Sequence, residues 1–177
     1  PNMFAVMGKS PKALEAVADE IAGENPEGAA SVRGIVCDVA KPDDIVRLVE
    51  QVIEEFGRID VLLNVAGVNR RKRVENVTEE DYDFILDINL KGAFLLAQAV
   101  GRRMIAQAGG SIINIDSLNT YAPLKGVAPY AMSKGGLVTM TRSMATEWGE
   151  HGVRVNTIAP GFILTALTRQ LWSDPTM

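Results

Sequence analysis

The 177 residues fit one domain, and a hydrophobic content of 47% is enough for a sizeable core. The net charge of −4 argues against a nucleic-acid partner, which would favour a basic surface. The single histidine, His151, rules out a His-rich metal site and leaves any Ser-His-Asp triad dependent on that one residue. The single cysteine, Cys37, cannot form a disulfide within the chain and is compatible with a reducing cytosol.

Short apolar runs rich in β-branched residues alternate with amphipathic stretches along the chain. The runs predict strands over Met3–Met7, Val32–Cys37, Val61–Asn64, Ser111–Ile115 and Val153–Thr157. The stretches between them predict helices over Pro11–Ala22, Pro42–Phe56, Glu79–Ala106 with a break before Asn89, and Tyr130–Trp148. Such alternation implies parallel strands joined by right-handed crossovers. The predicted fold class is therefore α/β, with helices on both faces of a doubly wound parallel sheet.

Small or polar residues follow several of the predicted strands. They are Asp38, the segment Asn64–Gly67, Ser117 and Pro160–Gly161. Ordinary turn chemistry would explain any one of these alone. In a parallel α/β sheet, however, ligands collect at the carboxyl ends of the strands. Four successive strand ends of this kind predict a binding site along that edge.

A tyrosine and a lysine four residues apart, Tyr130 and Lys134, share one face of the last predicted helix. An ammonium beside a phenol favours the phenolate and brings proton transfer toward neutral pH. Ser117, at a neighbouring strand end, could hold a substrate oxygen against the same phenol. By chance, a Tyr-x-x-x-Lys pattern occurs in roughly one chain in eight of this composition. The alternative interpretation of the pattern is a surface helix on which Tyr130 and Lys134 stack. The motif therefore carries weight only together with the rest of the chain.

The order and spacing of the motifs resemble the short-chain dehydrogenase/reductases over essentially the whole chain. The matching segments are Cys37–Val39, Gly57–Asn64, Ala66–Gly67, Asn89–Gly92, Gly110–Ile115, Tyr130–Lys134, Val153–Asn156 and Ala159–Gly161. The resemblance implies a Rossmann-type, three-layer αβα fold that uses NAD or NADP. It also implies interconversion of a secondary alcohol and a ketone by hydride transfer. Ala145–Trp148 and the paired arginines after Gly67 look most like gluconate 5-dehydrogenase and 2-deoxygluconate dehydrogenase members, with 3-oxoacyl carrier-protein reductases next.

The resemblance assigns roles to individual residues. Tyr130 would be the general acid/base, and Lys134 would support it and bind the nicotinamide ribose. Ser117 would hydrogen-bond the substrate oxygen, and Asn89 would hold a water that links Lys134 to solvent. The implied cofactor contacts are Lys9, Ser10, Asp38, Val39, Asn64, Ala66, Gly67, Tyr130, Lys134, Pro160, Gly161, Ile163 and Thr165.

Two stretches bear on the choice of cofactor and substrate. Family members that prefer NAD place an acidic residue after their second strand, whereas this chain has Gly8, Lys9 and Ser10. A cation and a hydroxyl suit a 2′-phosphate, which favours NADP over NAD, although Lys9 could equally be a solvated loop charge. The basic run Arg70–Arg73 predicts that Arg70 or Arg71 attracts an anionic substrate, such as a sugar acid or an acyl-carrier thioester. A solvated loop is the alternative reading of that run.

Three features depart from the family pattern. The glycine-rich TGxxxGxG loop does not occur, and Met3–Met7 aligns with the family's second strand. We therefore expect residues 1–177 to form one Rossmann-type domain incomplete at both ends. It would lack the first and the C-terminal strands, leave a gap beside Met3–Met7, and by itself fold poorly and bind cofactor weakly. Val65 replaces a common asparagine, and Asp116 adds a negative charge beside Ser117, facing either substrate or solvent.

Two other classes of protein compete with the dehydrogenase reading. One is a non-catalytic nucleotide-binding or scaffold relative, or an inactive fragment; a pseudoenzyme would be expected to lose Tyr130 or Lys134, and both are present. A hydrolase is disfavoured by the lone His151. The resemblance implies a cytoplasmic homotetramer that acts on a small-molecule alcohol or ketone and assembles through the helices Glu79–Ala106 and Tyr130–Trp148. No metal or nucleic-acid partner is expected, because the chain has one histidine and a net charge of −4. No membrane partner is expected, since no apolar run approaches the length of a membrane span.

Overall fold

Strands and helices alternate along the chain as the sequence predicts. The computed structural model describes residues 3–8, 10–24, 31–161 and 163. The strands are β1 (Met3–Gly8), β2 (Ser31–Val36), β3 (Val61–Asn64), β4 (Gly110–Ile115) and β5 (Val153–Ile158). The α-helices are α1 (Pro11–Glu24), α2 (Pro42–Phe56), α3 (Glu79–Leu86), α4 (Ala93–Ala106) and α5 (Ala128–Trp148). Every predicted strand and helix is present, with its ends shifted by about two residues or fewer.

The long helical segment predicted over Glu79–Ala106 is interrupted at Asn89, as expected. A turn of π-helix over Asp87–Gly92 separates α3 from α4. The α3 helix begins at Thr78, whose hydroxyl accepts a hydrogen bond from the N–H of Asp81 at 3.2 Å. The Asp81 carboxylate in turn accepts from the N–H of Thr78 at 3.1 Å, which completes a capping box. Single turns of π-helix are common at functional sites, and this one carries a predicted site residue.

By length and apolar composition alone, the segment Glu79–Ala106 could cross a membrane. Its most apolar window has a mean hydropathy of 1.3, and half of that window is buried within the fold. This degree of burial is the pattern of a core helix. The expectation that no apolar run approaches the length of a membrane span was therefore wrong on composition, because α3, the π-helix and α4 together make a helical segment of 28 residues.

The strands form two parallel groups. The β1 strand pairs with β2, from Met3 opposite Ser31 to Gly8 opposite Val36. The β4 strand lies between β3 and β5, with Ile112 opposite Leu62 on one side and Val155 on the other. Among the strands that the structure describes, no ladder joins β1 to β3, so the expected gap is present. The α/β class with parallel strands is confirmed.

One hydrophobic core connects the two groups of strands. Residues after β2 and on α2, including Cys37, Ile45 and Leu48, pack in the same cluster as α4, β4 and α5. The apolar stripe of α2 recurs at the helical period, and Gly57 ends the helix in a left-handed conformation with φ of 78°. This shared core holds the carboxyl ends of β2, β3, β4 and β5 in fixed relative positions.

Candidate active site

The α5 helix brings Tyr130 and Lys134 together on one face. The Nζ atom of Lys134 lies 5.7 Å from the centroid of the Tyr130 ring. Lys134 is only 3% exposed, and its Nζ donates a hydrogen bond to the carbonyl oxygen of Ile115 at 2.6 Å. Burial lowers the pKa of Lys134 from 10.5 to about 8, and the negative charge of Asp116 opposes that shift. The predicted pair is thus a buried cation close to a phenol.

Ser117 follows β4 and begins a short 3-10 helix, Leu118–Thr120. Its Oγ accepts hydrogen bonds from the main-chain N–H of Asn119 at 3.2 Å and from the side-chain amide of Asn119 at 3.3 Å. Both bonds use the lone pairs of the oxygen, so the O–H hydrogen can be donated to another oxygen. The same 3-10 helix packs on α5, since Thr120 lies 3.9 Å from where a Cβ of Gly135 would be.

Asn89 is fully buried in the π-helix and joins two parts of the site. Its Oδ1 accepts from the N–H of Val68 at 2.7 Å, and its Nδ2 donates to the carbonyl of Val68 at 2.9 Å. The Nδ2 also donates to Ser133 Oγ at 3.1 Å, and that hydroxyl donates to the carbonyl of Tyr130 at 2.7 Å. The loop after β3 is thereby tied to the first turn of α5.

Sequence reasoning missed the parts that Val68 and Ser133 play in this network. Its position between Tyr130 and Lys134 could have indicated a role for Ser133, which is fully buried. Val68 takes part only through main-chain atoms, which leave no mark in a sequence.

The loop after β3 approaches the same cluster. A Cβ atom on Gly67 would lie 3.5 Å from Lys134 Nζ and 3.7 Å from Asn89 Oδ1, so these residues converge. Asn64 lies deeper, at 6% exposure, and its Nδ2 donates to Asn114 Oδ1 at 2.9 Å and to the carbonyl of Ala93 at 3.3 Å. The side chain of Asn64 therefore joins β3 to β4 and α4. Ala66 is exposed beside Gly67.

The loop after β5 runs beside the loop after β4. The N–H of Asp116 donates to the carbonyl of Ile158 at 2.8 Å, and the N–H of Leu118 donates to the carbonyl of Pro160 at 3.4 Å. Ile163 is 59% exposed, and its N–H donates to the carbonyl of Gly161 at 3.0 Å. The predicted contact Thr165 lies outside the described residues.

The remaining cofactor candidates lie near β1 and β2. Asp38 Oδ1 accepts from the N–H of Ala40 at 3.0 Å, forming a tight turn. Val39 is 7% exposed and packs in the core. Ser10 is exposed, and its Oγ accepts from the N–H of Ala13 at 3.4 Å, as an N-cap of α1 does. Lys9 lies outside the described residues.

The two arginines proposed for substrate binding differ in their surroundings. Arg70 donates to Glu80 Oε1 at 3.1 Å and to Asp81 Oδ1 at 3.3 Å, and its guanidinium lies 4.0 Å from the ring centroid of Phe84. Arg71 is exposed and donates to the carbonyl of Lys125 at 3.2 Å. Since two carboxylates already balance the charge of Arg70, the geometry favours Arg71 over Arg70 as an anion-binding group.

Asp116, which the sequence placed toward either substrate or solvent, faces the protein interior at 2% exposure. Its Oδ1 accepts from Thr120 Oγ1 at 2.6 Å. Its Oδ2 is buried without a hydrogen-bond partner in the described part of the chain.

The chain combines a parallel α/β fold with Tyr130 and Lys134 on one face of α5 and with Ser117 directly after β4. The sequence pattern described as short chain dehydrogenase matches residues 2–176, so the chain belongs to the short chain dehydrogenase family.

Known relatives are similar in sequence and structure. The D-threitol dehydrogenase of Mycolicibacterium smegmatis is 40% identical over 97% of this chain and 65% of the relative. The 3-oxoacyl acyl-carrier-protein reductase of Thermotoga maritima is 42% identical over 77% of this chain and 55% of the relative. A gluconate 5-dehydrogenase from Burkholderia cenocepacia, solved with NADP and tartrate, matches with a TM-score of 0.89 and 31% identity over 97% of this chain and 66% of that one. The chain thus spans about half to two thirds of the length of the curated relatives it matches.

Proposed function

We propose that the protein carrying this chain is an NAD(P)-dependent oxidoreductase that interconverts a secondary alcohol and a ketone. The observation that carries the proposal is the buried Lys134 ammonium, which lies 5.7 Å from the Tyr130 ring and donates to the carbonyl of Ile115, two residues before Ser117. A cation, a phenol and a hydroxyl-bearing serine are the groups that proton transfer to or from a carbonyl oxygen requires.

The residues present fit a nicotinamide cofactor. The lack of a side chain at Gly67 leaves the space beside Lys134 Nζ open, where a Cβ would come within 3.5 Å. Lys134 and Tyr130 would hold the ribose on one side, and Pro160, Gly161 and Ile163 would border the ring on the other. When bound, such a cofactor donates or accepts the hydride.

The chain's own residues would handle the proton and the substrate oxygen. Ser117 would donate its O–H hydrogen to that oxygen and hold it against the phenol. Tyr130 would give its hydroxyl proton to the oxygen during reduction and take a proton from it during oxidation. The Lys134 ammonium would stabilise the phenolate that remains after the proton has left.

Asn89 would hold the loop after β3 in place against α5. Its side chain makes three hydrogen bonds to Val68 and Ser133, so a water linking Lys134 to solvent would bind the main chain of Asn89 instead. One turn of π-helix alters the main-chain pairing around this residue, which is consistent with such a role.

NADP is proposed over NAD. Its support is the sequence Lys9–Ser10 after β1 together with the NADP-bound gluconate 5-dehydrogenase of similar fold. The matching test is the ratio of kcat/KM for NADPH to that for NADH, and a Lys9→Glu variant should move this ratio toward NADH. An unchanged ratio would contradict the assignment of Lys9 to the 2′-phosphate.

A cytoplasmic homotetramer is proposed as the working form of the protein. The outer surface shared by α4 and α5 carries a depression of about 680 Å³, lined by apolar groups that include Phe94, Met140 and Trp148. Phe94 is 41% exposed there. Sedimentation should show a fourfold mass that a Phe94→Asp variant reduces, whereas a monomeric wild type would contradict the proposal.

A sugar acid or a similar polyhydroxylated compound is proposed as substrate. Relatives named for D-threitol and for gluconate support a polar substrate. The exposed guanidinium of Arg71 is the group placed to attract a carboxylate. Arg71→Ala should raise KM for a sugar acid but not for an uncharged polyol, with Arg142→Ala, another exposed arginine, as the control. An unchanged KM would contradict a role for Arg71.

A 3-oxoacyl thioester reductase is the second candidate, favoured by the relative of that name. An inactive or non-catalytic relative of the same fold is a third reading. The deciding assay is oxidation of NADPH and NADH by the purified protein with a panel of sugar-acid ketones, polyol-derived ketones and 3-oxoacyl thioesters. Turnover of the first two groups supports the proposal, turnover of thioesters alone supports the second candidate, and no turnover of any compound contradicts both.

A further inference from the structure

Asp116 is a buried carboxylate directly beside the proposed catalytic residues. It is 2% exposed, and its N–H is held by the carbonyl of Ile158 at 2.8 Å. Thr120 Oγ1 donates to its Oδ1 at 2.6 Å, while its Oδ2 has no hydrogen-bond partner within the described residues. A buried carboxylate oxygen without a partner is costly, so the position calls for a compensating positive charge nearby.

Lys134 is a buried cation beside the residue that precedes Asp116. It is 3% exposed, and its Nζ donates to the carbonyl of Ile115, the residue immediately before Asp116. Burial disfavours the ammonium form, and the negative charge of Asp116 favours it. The two charged groups therefore lie at the same end of β4, each removed from water.

The other groups around Lys134 offer no second counter-charge. Tyr130 faces it from α5 with its ring, and the amide of Asn89 and the main chain of Gly67 approach from the π-helix and from the loop after β3. Across the part of the chain that the structure describes, Asp116 is the carboxylate whose charge acts on Lys134.

We propose that Asp116 is a positioning residue for the proposed reaction, whose buried carboxylate is the counter-charge that keeps the Lys134 side chain an ammonium at neutral pH. The consequence for turnover rests on the proposed function, but the charge coupling between the two residues does not. Asp116 acts through Lys134 and needs no contact with substrate or cofactor. The chain would thus use a buried carboxylate at the end of β4, next to the residue whose carbonyl accepts from Lys134 Nζ, to keep the charge on that lysine.

The first test measures the charge state of Lys134 directly. The ¹³Cε resonance of Lys134, assigned by its loss in Lys134→Arg, is followed by NMR as a function of pH in the protein without cofactor. In Asp116→Asn the midpoint should fall by about one pH unit, the scale on which one nearby charge shifts a buried group. The asparagine Oδ1 can still accept from Thr120, so the hydrogen bond is kept while the charge is removed.

A matched variant, Thr120→Val, tests the hydrogen bond separately from the charge. Thr120→Val removes the hydrogen bond to Asp116 and keeps the carboxylate, so the midpoint of Lys134 should stay near that of the wild type. Asp116→Ser is the second uncharged variant and serves if Asp116→Asn does not fold. Asp60→Asn, at an exposed carboxylate that pairs with Arg58, controls for the overall loss of one negative charge.

The second test is the pH profile of kcat/KM. The alkaline limb that reports loss of the Lys134 proton should move to lower pH by the same amount in Asp116→Asn and Asp116→Ser, and not in Thr120→Val. An unchanged NMR midpoint in both uncharged variants would overturn the coupling. A shifted midpoint in a protein that turns over no substrate would keep the coupling and refute the proposed function, so the two failures are distinguishable.

Discussion

A Cβ atom placed on Gly92 would lie 2.5 Å from the carbonyl oxygen of Val39. Gly92 ends the π-helix that carries Asn89, and Val39 follows β2. Both residues are buried, and the atom that would be struck belongs to the main chain, which cannot move aside as a side chain can. The π-helix therefore packs directly against the main chain that follows β2. This contact joins the β1–β2 group to the rest of the fold.

Gly92→Ala should lower the free energy of unfolding by about 1–3 kcal/mol, the cost of forcing extra volume into a packed interior. Urea denaturation followed by circular dichroism measures the change. Gly149→Ala is the matched control, since a Cβ at Gly149 would have no atom within 4 Å. Equal stability of the two variants would mean that Gly92 and Val39 do not approach this closely.

Asn89→Ala should lower the free energy of unfolding by about 2–4 kcal/mol. The substitution leaves the partly buried N–H and carbonyl of Val68 without their partner, and each unpaired group costs about 1–3 kcal/mol. Asn76→Ala, at an exposed position, serves as the control in the same urea titration. Loss of activity without loss of stability would instead assign Asn89 a purely catalytic role.

Lys134→Met should change how stability depends on pH. The folded-state pKa of Lys134 is lowered from 10.5 to about 8, so between these values the unfolded chain binds more protons than the folded one. In the wild type, stability therefore rises with pH across that window, while below pH 8 the cost of burying the ammonium is fully present. The stability difference between Lys134→Met and wild type should change by about 3 kcal/mol over the window.

The measurement is urea denaturation of the cofactor-free protein at several pH values between about 7 and 10.5. Lys91→Met, whose side chain is 60% exposed and pairs with Asp87, is the control and should show little change with pH. A pH-independent difference for Lys134→Met would contradict the lowered pKa of this lysine.

Local patterns were sufficient to predict the strands, the helices and the common face of Tyr130 and Lys134. The apolar periodicity located the strands and helices, and the spacing of Tyr130 and Lys134 fixed their common face. The break at Asn89 was also predicted, and it is a π-helix. These features follow from the spacing of apolar residues, from helix and strand propensities and from residues close in sequence, all of which can be read without the tertiary structure.

Side-chain partners across elements could not be predicted in the same way. Asn64 was expected to contact the cofactor, and its Nδ2 donates to Asn114 Oδ1, 50 residues away in the chain. Arg70 was expected to face an anion, but Glu80 and Asp81 of α3 already pair with it. Whether Asp116 met solvent or the interior depended on how β4, β5 and the 3-10 helix pack together. Each outcome rests on how separate helices, strands and loops pack against one another, for which composition and periodicity carry no signal.

The central claim is that the Tyr130 site passes a proton to a ketone oxygen while a hydride reaches its carbon. NADPH deuterated at the transferring position of its nicotinamide ring, incubated with the protein and a turned-over ketone, tests this most directly. Mass spectrometry of the alcohol should show one deuterium on the carbinol carbon. The rate should fall by about 10²–10⁴ in Tyr130→Phe and stay unchanged in Tyr121→Phe, whose residue is 62% exposed. Alcohol formed without deuterium, or at an equal rate in Tyr130→Phe, would contradict the account.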